Sequence, residues 1–302
     1  MRKALLQLHL AVFLAGFTGI LGRLITLNEG LLVWYRMLIA SVSLAILLLL
    51  RGQLRKVSRR QLIKVAATGG IIALHWVAFF GSIKYANVSI ALVCFSATGF
   101  FTSFLEPLML RTRFDRVEVL LGIVVVIGIY LIFNFNPDYK TGIIIGLIAA
   151  LLAAVFTVIN KRLVEQVPVR MIAVVELGGG WLVLTALLPV YFYFFPTPQI
   201  LPGIEDLGWL LVLAWLCTIL AFDLQLNSLK KISTFTNNLT YNLEPIYGIV
   251  LAFVFFHENQ YLSSGFYVGL AIIIAAVLIQ TLRLKQQRDR ERRAALQPKT
   301  SD

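Results

Sequence analysis

Ten separate runs of this chain are each long and apolar enough to cross a lipid bilayer. A spanning helix needs roughly 20 predominantly apolar residues. The runs fall at about 4–22, 31–50, 65–83, 88–110, 117–134, 142–164, 170–194, 207–230, 235–256 and 264–282. A composition of 59% hydrophobic and 14% charged residues is far too apolar for a soluble domain. The chain therefore reads as an all-α polytopic membrane protein with ten transmembrane helices. Connections between runs are short, which leaves no room for a separate soluble domain. The start, Met1-Arg2-Lys3, leads directly into an apolar run through Leu21 without an obvious small-residue cleavage site, so the first run is expected to be an uncleaved span. Cys94 and Cys217 lie inside apolar runs and read as inert buried thiols, with no disulfide framework and no metal-ligand spacing.

The net charge of +12 would suit nucleic acid if it were spread over a surface. Its placement points to a membrane instead. Cytoplasmic loops collect lysine and arginine. With the N-terminus inside, all but four of the 27 fall on one side; Arg23, Lys84 and Lys140 lie opposite, and Arg36 sits within a span. That bias predicts N- and C-termini in the cytoplasm of a multi-pass inner-membrane protein. The tail 283–302 is basic and polar, and is expected to be cytoplasmic.

The two halves of the chain are related. Phe17-Thr18 can be laid on Phe156-Thr157, Arg23-Leu24 on Arg162-Leu163, and Arg36 on Glu176. With a slightly longer shift, Tyr85 falls on Ile232, Trp76 on Asp223, Phe114 on Tyr261 and Gly122 on Gly269. Residues 1–136 and 137–282 thus read as two five-helix repeats. Five is odd, so the second copy enters the membrane in the opposite sense. Inverted repeats mark secondary transporters, with the site near the midplane between the halves.

The ninth run is polar where a span should be apolar. Asn237, Tyr241, Glu244 and Gly248 share one face at about 100° per residue. A carboxylate facing lipid costs at least ~2.5 kcal/mol, so this face must look onto protein or water. Pro245 has no N–H and would free the carbonyl of Tyr241 inside the same helix. Freed carbonyls at membrane depth are tolerated where they line a cavity. The stretch reads as one wall of a substrate chamber, against the plainer alternative of a polar seam between helices.

Other ionisable residues within spans each carry two readings. Arg36 either snorkels to headgroups or holds an anionic group or carboxylate in the chamber. His75 either ties two helices or binds substrate or proton, and Trp76 beside it offers an aromatic face or simple packing. Glu176 precedes Gly178-Gly179-Gly180, where helices can approach closely or bend. Gly99, Thr102, Ser103 and Glu106 share a face of the fourth run, followed by Pro107. Glu106 either gates the chamber or caps the cytoplasmic end on Arg111 or Arg113. Its Leu-Glu-Pro triplet does not align with that of Glu244. Asp223 is expected to face the central region, and His257 and Glu258 to be solvated loop residues.

No phosphate-cradling loop with lysine, Gly-x-Ser-x-Gly elbow, His-Glu-x-x-His pair or paired cysteines occur in the sequence. An enzyme, a cofactor and a metal are accordingly not expected.

The chain resembles the EamA-type family of the drug/metabolite transporter superfamily. The likeness is carried by Val33-Trp34-Tyr35-Arg36, Ser82 to Ser89, Asn227 to Ser233, Leu243-Glu244-Pro245, and Phe256-His257-Glu258 followed by Gly269. It covers about residues 4–282. Pro107 lies later than the family's usual first-half proline, where this chain has Ala97-Thr98-Gly99. The resemblance implies export of amino acids or other small metabolites or drugs by alternating access. It offers His75, Trp76, Asn237, Tyr241 and Glu244 as binding candidates, to which the residues themselves add Arg36. Glu106, Glu176, Gly99, Pro107 and Pro245 are the gating or coupling candidates. Expected partners are a small-molecule substrate and membrane lipid, with protons compatible as coupling ion and either a monomer or a homodimer. Uptake or exchange of an organic anion or nucleotide-like metabolite is the alternative transport reading. A membrane scaffold or accessory subunit is the alternative outside transport.

Overall fold

Backbone groups cannot go unpaired in hydrocarbon, and helices pair them within each segment. The computed structural model describes residues 2–229, 231, 240, 241 and 243–296, and its described residues are helical with short connections. The elements are α1 (Arg2–Leu24), α2 (Glu29–Leu50), α3 (Arg59–Tyr85), α4 (Val88–Phe95), α5 (Thr98–Leu110), α6 (Arg116–Phe135), α7 (Lys140–Leu163), α8 (Val169–Phe194), α9 (Ile204–Ala214), α10 (Ala221–Leu229), α11 (Glu244–Phe256) and α12 (Ser264–Leu296). Among the described residues nine segments are long and apolar enough to span; the expected ninth span is represented by α11. The chain is a polytopic membrane protein built from two inverted five-helix repeats.

Helix starts follow from polar residues at the loops. Asn28 caps α2 by accepting from Leu31 N–H, and Asn87 caps α4 by accepting from Ile90 N–H. Ser58 and Gln61 form a reciprocal capping box. That cap starts α3 six residues before the apolar run, so its first turns are charged. Asp115 caps α6, accepting from Val117 and Glu118 N–H.

Two expected spans are interrupted. The fourth breaks between α4 and α5 at Ser96-Ala97, where N–H groups reach carbonyls only three residues back. The ninth has its break just before Glu244, where α11 begins. The repeat alignment that lays Gly122 on Gly269 lays Ala97 on Glu244, so the breaks fall at equivalent places. Ser96 and Pro245 line one small cavity, of about 20 Å³, with residues of α12. A third irregularity lies between α9 and α10, where Trp215–Leu220 form a π-helical turn.

Packing repeats the symmetry. α3 packs on α7 and α8; the related surface is α1 on α10 and α2 on α9. α1 packs on α11, as α7 does on α4 and α5. The self-related pairs are α2 with α8, α4 with α11 and α6 with α12. α1 is 56% buried across its apolar window and α6 only 28%, which places α1 centrally and α6 at the lipid edge. Glycines permit the closest crossings: a Cβ on Gly16 of α1 would lie 3.0 Å from the Glu244 carbonyl oxygen and from the Gly248 nitrogen. The start of α11 is thereby held against the middle of α1.

Candidate functional site

The centre of the molecule is organised around Arg36. It is 4% exposed, which removes the snorkelling alternative. Its Nε donates to Thr218 Oγ1 at 3.2 Å, and its Cζ lies 3.8 Å from the Trp76 ring centroid and 5.8 Å from that of Phe80. A desolvated guanidinium over tryptophan gains about 2 kcal/mol from the ring quadrupole. Thr218 lies in the π turn, and its hydroxyl donates to the Leu213 carbonyl five residues back at 2.9 Å. π turns are frequent at functional sites because they re-aim side chains. Arg36 Nη1 is buried and has no hydrogen-bond partner among the described residues. A charged donor left unmet away from water is costly, so the position is set up to receive an acceptor.

Glu244 is the first residue of α11 and is partly exposed. It and Arg36 act on each other electrostatically. Cys217, buried next to Thr218, interacts with Arg36 and with the Thr18 hydroxyl. Spans one, two, three, eight and nine therefore each bring a group to one centre: Thr18, Arg36, Trp76, Cys217 with Thr218, and Glu244. A cation, a carboxylate and an aromatic face together suit a small zwitterion.

The remaining candidates are placed as follows. His75 is 5% exposed and its Nδ1 lies 2.8 Å from the Ala149 carbonyl. A carbonyl only accepts, so Nδ1 carries hydrogen and the ring ties α3 to α7. Phe79, Phe95 and Phe156 surround it at 6.3, 5.7 and 5.5 Å. Tyr241 packs on Ala4, Leu8 and Val12 of α1 and is close enough to Glu244 to interact with it electrostatically. Asn237 lies outside the described residues. Glu176 is 8% exposed and stands apart from the Arg36 cluster, with Asn160 of α7. A Cβ added at Gly99 would meet nothing within 4 Å, and Pro107 is buried within α5.

Four sequence expectations need correction. Pro245 occupies the first turn of α11, where its missing N–H breaks no helical bond. Glu106 pairs with Lys161 of α7, and not with Arg111 or Arg113; α5 ends at Arg111, which takes the left-handed region at φ 57°. Asp223 lies at the basic end, hydrogen-bonded to Asn227 at 2.9 Å and 3.9 Å from Arg170. Glu258 is 3% exposed, not solvated.

Glu258 does close one end of the molecule. Its Oε1 accepts from Arg23 Nη1 at 2.5 Å and Val88 N–H at 3.1 Å. Its Oε2 accepts from Ser89 N–H at 2.9 Å and Ser89 Oγ at 2.6 Å. Asp206, 4% exposed, accepts from Thr26 N–H and Thr26 Oγ1, both at 2.7 Å. Both carboxylates join one repeat to the other. The cross-repeat ion pair at the basic end is more open to solvent, Lys161–Glu106 at 58% and 31% exposure, and Arg283 of the α12 end pairs with the Asp115 cap of α6 at 20% and 37%. Exposed pairs of that kind contribute about 0–1 kcal/mol each. The end away from the basic loops carries the stronger seal.

Thr218, Asp206 and Asn160 carry no signal in the sequence that marks them out, while Thr18 and Glu258 enter it only through the repeat alignment and the family resemblance, with no role attached. The hydroxyls are unremarkable inside apolar runs, and the carboxylates sit at run edges where solvation is the default expectation.

Comparison with known proteins agrees with this architecture. The model of the EamA-like transporter family matches residues 2–134 and again 140–282. A protein of Haemophilus influenzae (strain ATCC 51907 / DSM 11121 / KW20 / Rd) described as an uncharacterized transporter is 26% identical over 149 residues, 46% of this chain and 49% of that protein. The chain thus matches about half the length of that curated relative. A solved structure titled only as a crystal structure of a protein has a TM-score of 0.61 at 17% identity, covering 93% of this chain and 98% of that one. At that identity the likeness speaks for the fold alone.

Proposed function

This chain belongs to the EamA-like transporter family, whose members move small molecules across membranes, and from that premise we propose that it exports amino acids or closely related zwitterions by alternating access. The observation that carries this reading is the buried, unmet Nη1 of Arg36, stacked on Trp76 and facing a centre that includes Glu244. In it, Arg36 receives the substrate carboxylate, Glu244 the ammonium, and Trp76 supports the side chain or the guanidinium itself. Tyr241, near Glu244, adds to the wall on the ninth span.

The two broken spans supply the moving parts. Half-helices that end at the midplane can tilt with their own repeat while the other stays packed. In the present arrangement the Glu258 and Asp206 ties hold the end away from the basic loops shut. The basic loops face the cytoplasm of the inner membrane on this reading, with both termini inside, so the arrangement is closed to the outside. Release requires those ties to part while the exposed pairs at the basic end, including Glu106–Lys161, tighten.

Exchange of an organic anion is the second reading, since the same free nitrogen suits a carboxylate without an amine. Thermal stabilisation of the purified protein separates the two. A ligand at 100 times its Kd adds about 2.7 kcal/mol to native stability. Amino acids are expected to raise the melting temperature, while analogues lacking the amine or the carboxyl do not. Stabilisation by amine-free carboxylates alone would favour the anion reading, and no stabilisation by either class would refute both.

A further inference from the structure

A second buried polar pair lies apart from the Arg36 centre. Glu176 of α8 is 8% exposed, and the side chain of Asn160 of α7 lies beside it. Glu176 Oε1 and Asn160 Oδ1 are both buried acceptor oxygens without a donor among the described residues. An ionised carboxylate can only accept, whereas a protonated one donates. One proton on Glu176 would supply the missing O–H, directed at the Asn160 oxygen.

Among the described residues no cation stands in its place. Packed around this point are α2, α3, α7 and α8 itself. On α2, Arg36 is turned to Thr218 and Trp76. On α3, His75 is bound to the Ala149 carbonyl, and Arg59, Arg60 and Lys64 are exposed at the helix start. On α7, Lys161 pairs with Glu106, and Arg162 donates to the Met109 carbonyl. On α8, Arg170 is held by Gln53 and Asp223. A carboxylate buried without a positive partner is strongly disfavoured at membrane depth.

The surroundings are also tight. A Cβ on Gly69 of α3 would strike the Glu176 carbonyl, and one on Gly180 would strike the Gly69 carbonyl, so α3 and α8 meet backbone to backbone here. Glu176 lies seven residues into α8, about 10 Å along the helix at 1.5 Å per residue. A proton therefore has a short route from the basic end once α7 and α8 part slightly.

We propose that Glu176 is a proton-binding site, holding one proton shared with the Asn160 amide oxygen. The step is simple: a proton leaves hydronium at the basic end and adds to a Glu176 oxygen, and its release returns it to water with no other bond made or broken. A coupling role for that proton rests on the carrier reading above; its presence on Glu176 does not.

Infrared spectroscopy of the full chain in lipid nanodiscs tests this without any substrate. At neutral pH the protein is expected to show a protonated-carboxyl C=O band that disappears in Glu176→Gln and persists in Glu244→Gln. Asn160→Leu should keep the band but move it to higher frequency, as the hydrogen bond is lost. A spectrum without the band, or a band unchanged in Glu176→Gln, would overturn the proposal. Because no transported molecule enters the measurement, its failure is distinct from failure of the transport reading.

Discussion

Replacing Glu258 by glutamine tests whether the buried carboxylate holds one end of the molecule shut. The side chain keeps its shape but exchanges one acceptor oxygen for an NH₂ group. Each Glu258 oxygen accepts two bonds, so either amide orientation sets the NH₂ against two donors. If it replaces Oε2, it meets Ser89 N–H and Oγ, now at 2.9 and 2.6 Å. If it replaces Oε1, it meets Val88 N–H and Arg23. A buried backbone N–H left without an acceptor costs about 1–3 kcal/mol. Arg23 is 42% exposed and can return to water, so its share is at most about 1 kcal/mol. The closed arrangement should lose about 2–3 kcal/mol, roughly 30- to 140-fold in the ratio of closed to open. Leu92 reports on this: it is 1% exposed, lies on α4, and packs against Gly19 and Gly248 below the tie. In a background with Cys94→Ser and Cys217→Ser, a Leu92→Cys thiol should react with a membrane-impermeant reagent faster by that factor in Glu258→Gln. An unchanged labelling rate would refute the idea that Glu258 is the seal.

Three further outcomes follow from particular contacts. Gly69→Ala should lower the melting temperature, since overpacking against the Glu176 backbone costs about 1–3 kcal/mol, whereas Gly99→Ala, with nothing within 4 Å, should leave it unchanged or slightly higher. Equal effects in differential scanning fluorimetry would count against the α3–α8 contact. The Arg283 guanidinium bonded to Asp115 holds that carboxyl below its usual range. A depressed carboxyl stabilises the folded state above its unfolded value and loses that contribution as pH falls through the folded one. The advantage of the parent over Arg283→Gln should therefore be present at pH 6, shrink below about pH 4 and vanish once Asp115 is protonated; a difference that grows on acidification would contradict the pairing. Trp76→Leu should weaken ligand stabilisation by roughly tenfold or more through loss of the cation–π contact, read as a displaced midpoint in ligand titration.

The spans were legible because hydrophobic length is a one-dimensional property. Polar caps such as Ser58 then moved the start of α3 well ahead of its apolar run, an extension that hydropathy does not register. The break at Ser96-Ala97 was not legible, because both sides remain apolar and the interruption lies in backbone hydrogen bonding. Glu258 answers a separate need, at the start of the same span. A helix that begins at Val88 exposes N–H groups needing acceptors, and Asn87 meets one while Glu258 comes from the other repeat to meet two. Sequence could name Arg36, Trp76 and Glu244 as costly or notable side chains. It could not bring them together, since the three stand on different spans and their meeting depends on how the repeats interlock. Asp223 failed for a related reason: alignment with Trp76 fixes a pseudo-equivalent depth only approximately, and its side chain is drawn to Asn227 and Arg170 near the basic end.

The most direct test of the transport account is counterflow in proteoliposomes, scored over a panel of radiolabelled amino acids for the parent chain, Arg36→Gln and Glu244→Gln. Saturable flux of one or more amino acids in the parent, lost in both variants at equal reconstitution and folding, is the predicted result. Saturable flux that survives in both variants would contradict the assignment of Arg36 and Glu244 as the two poles of the binding site.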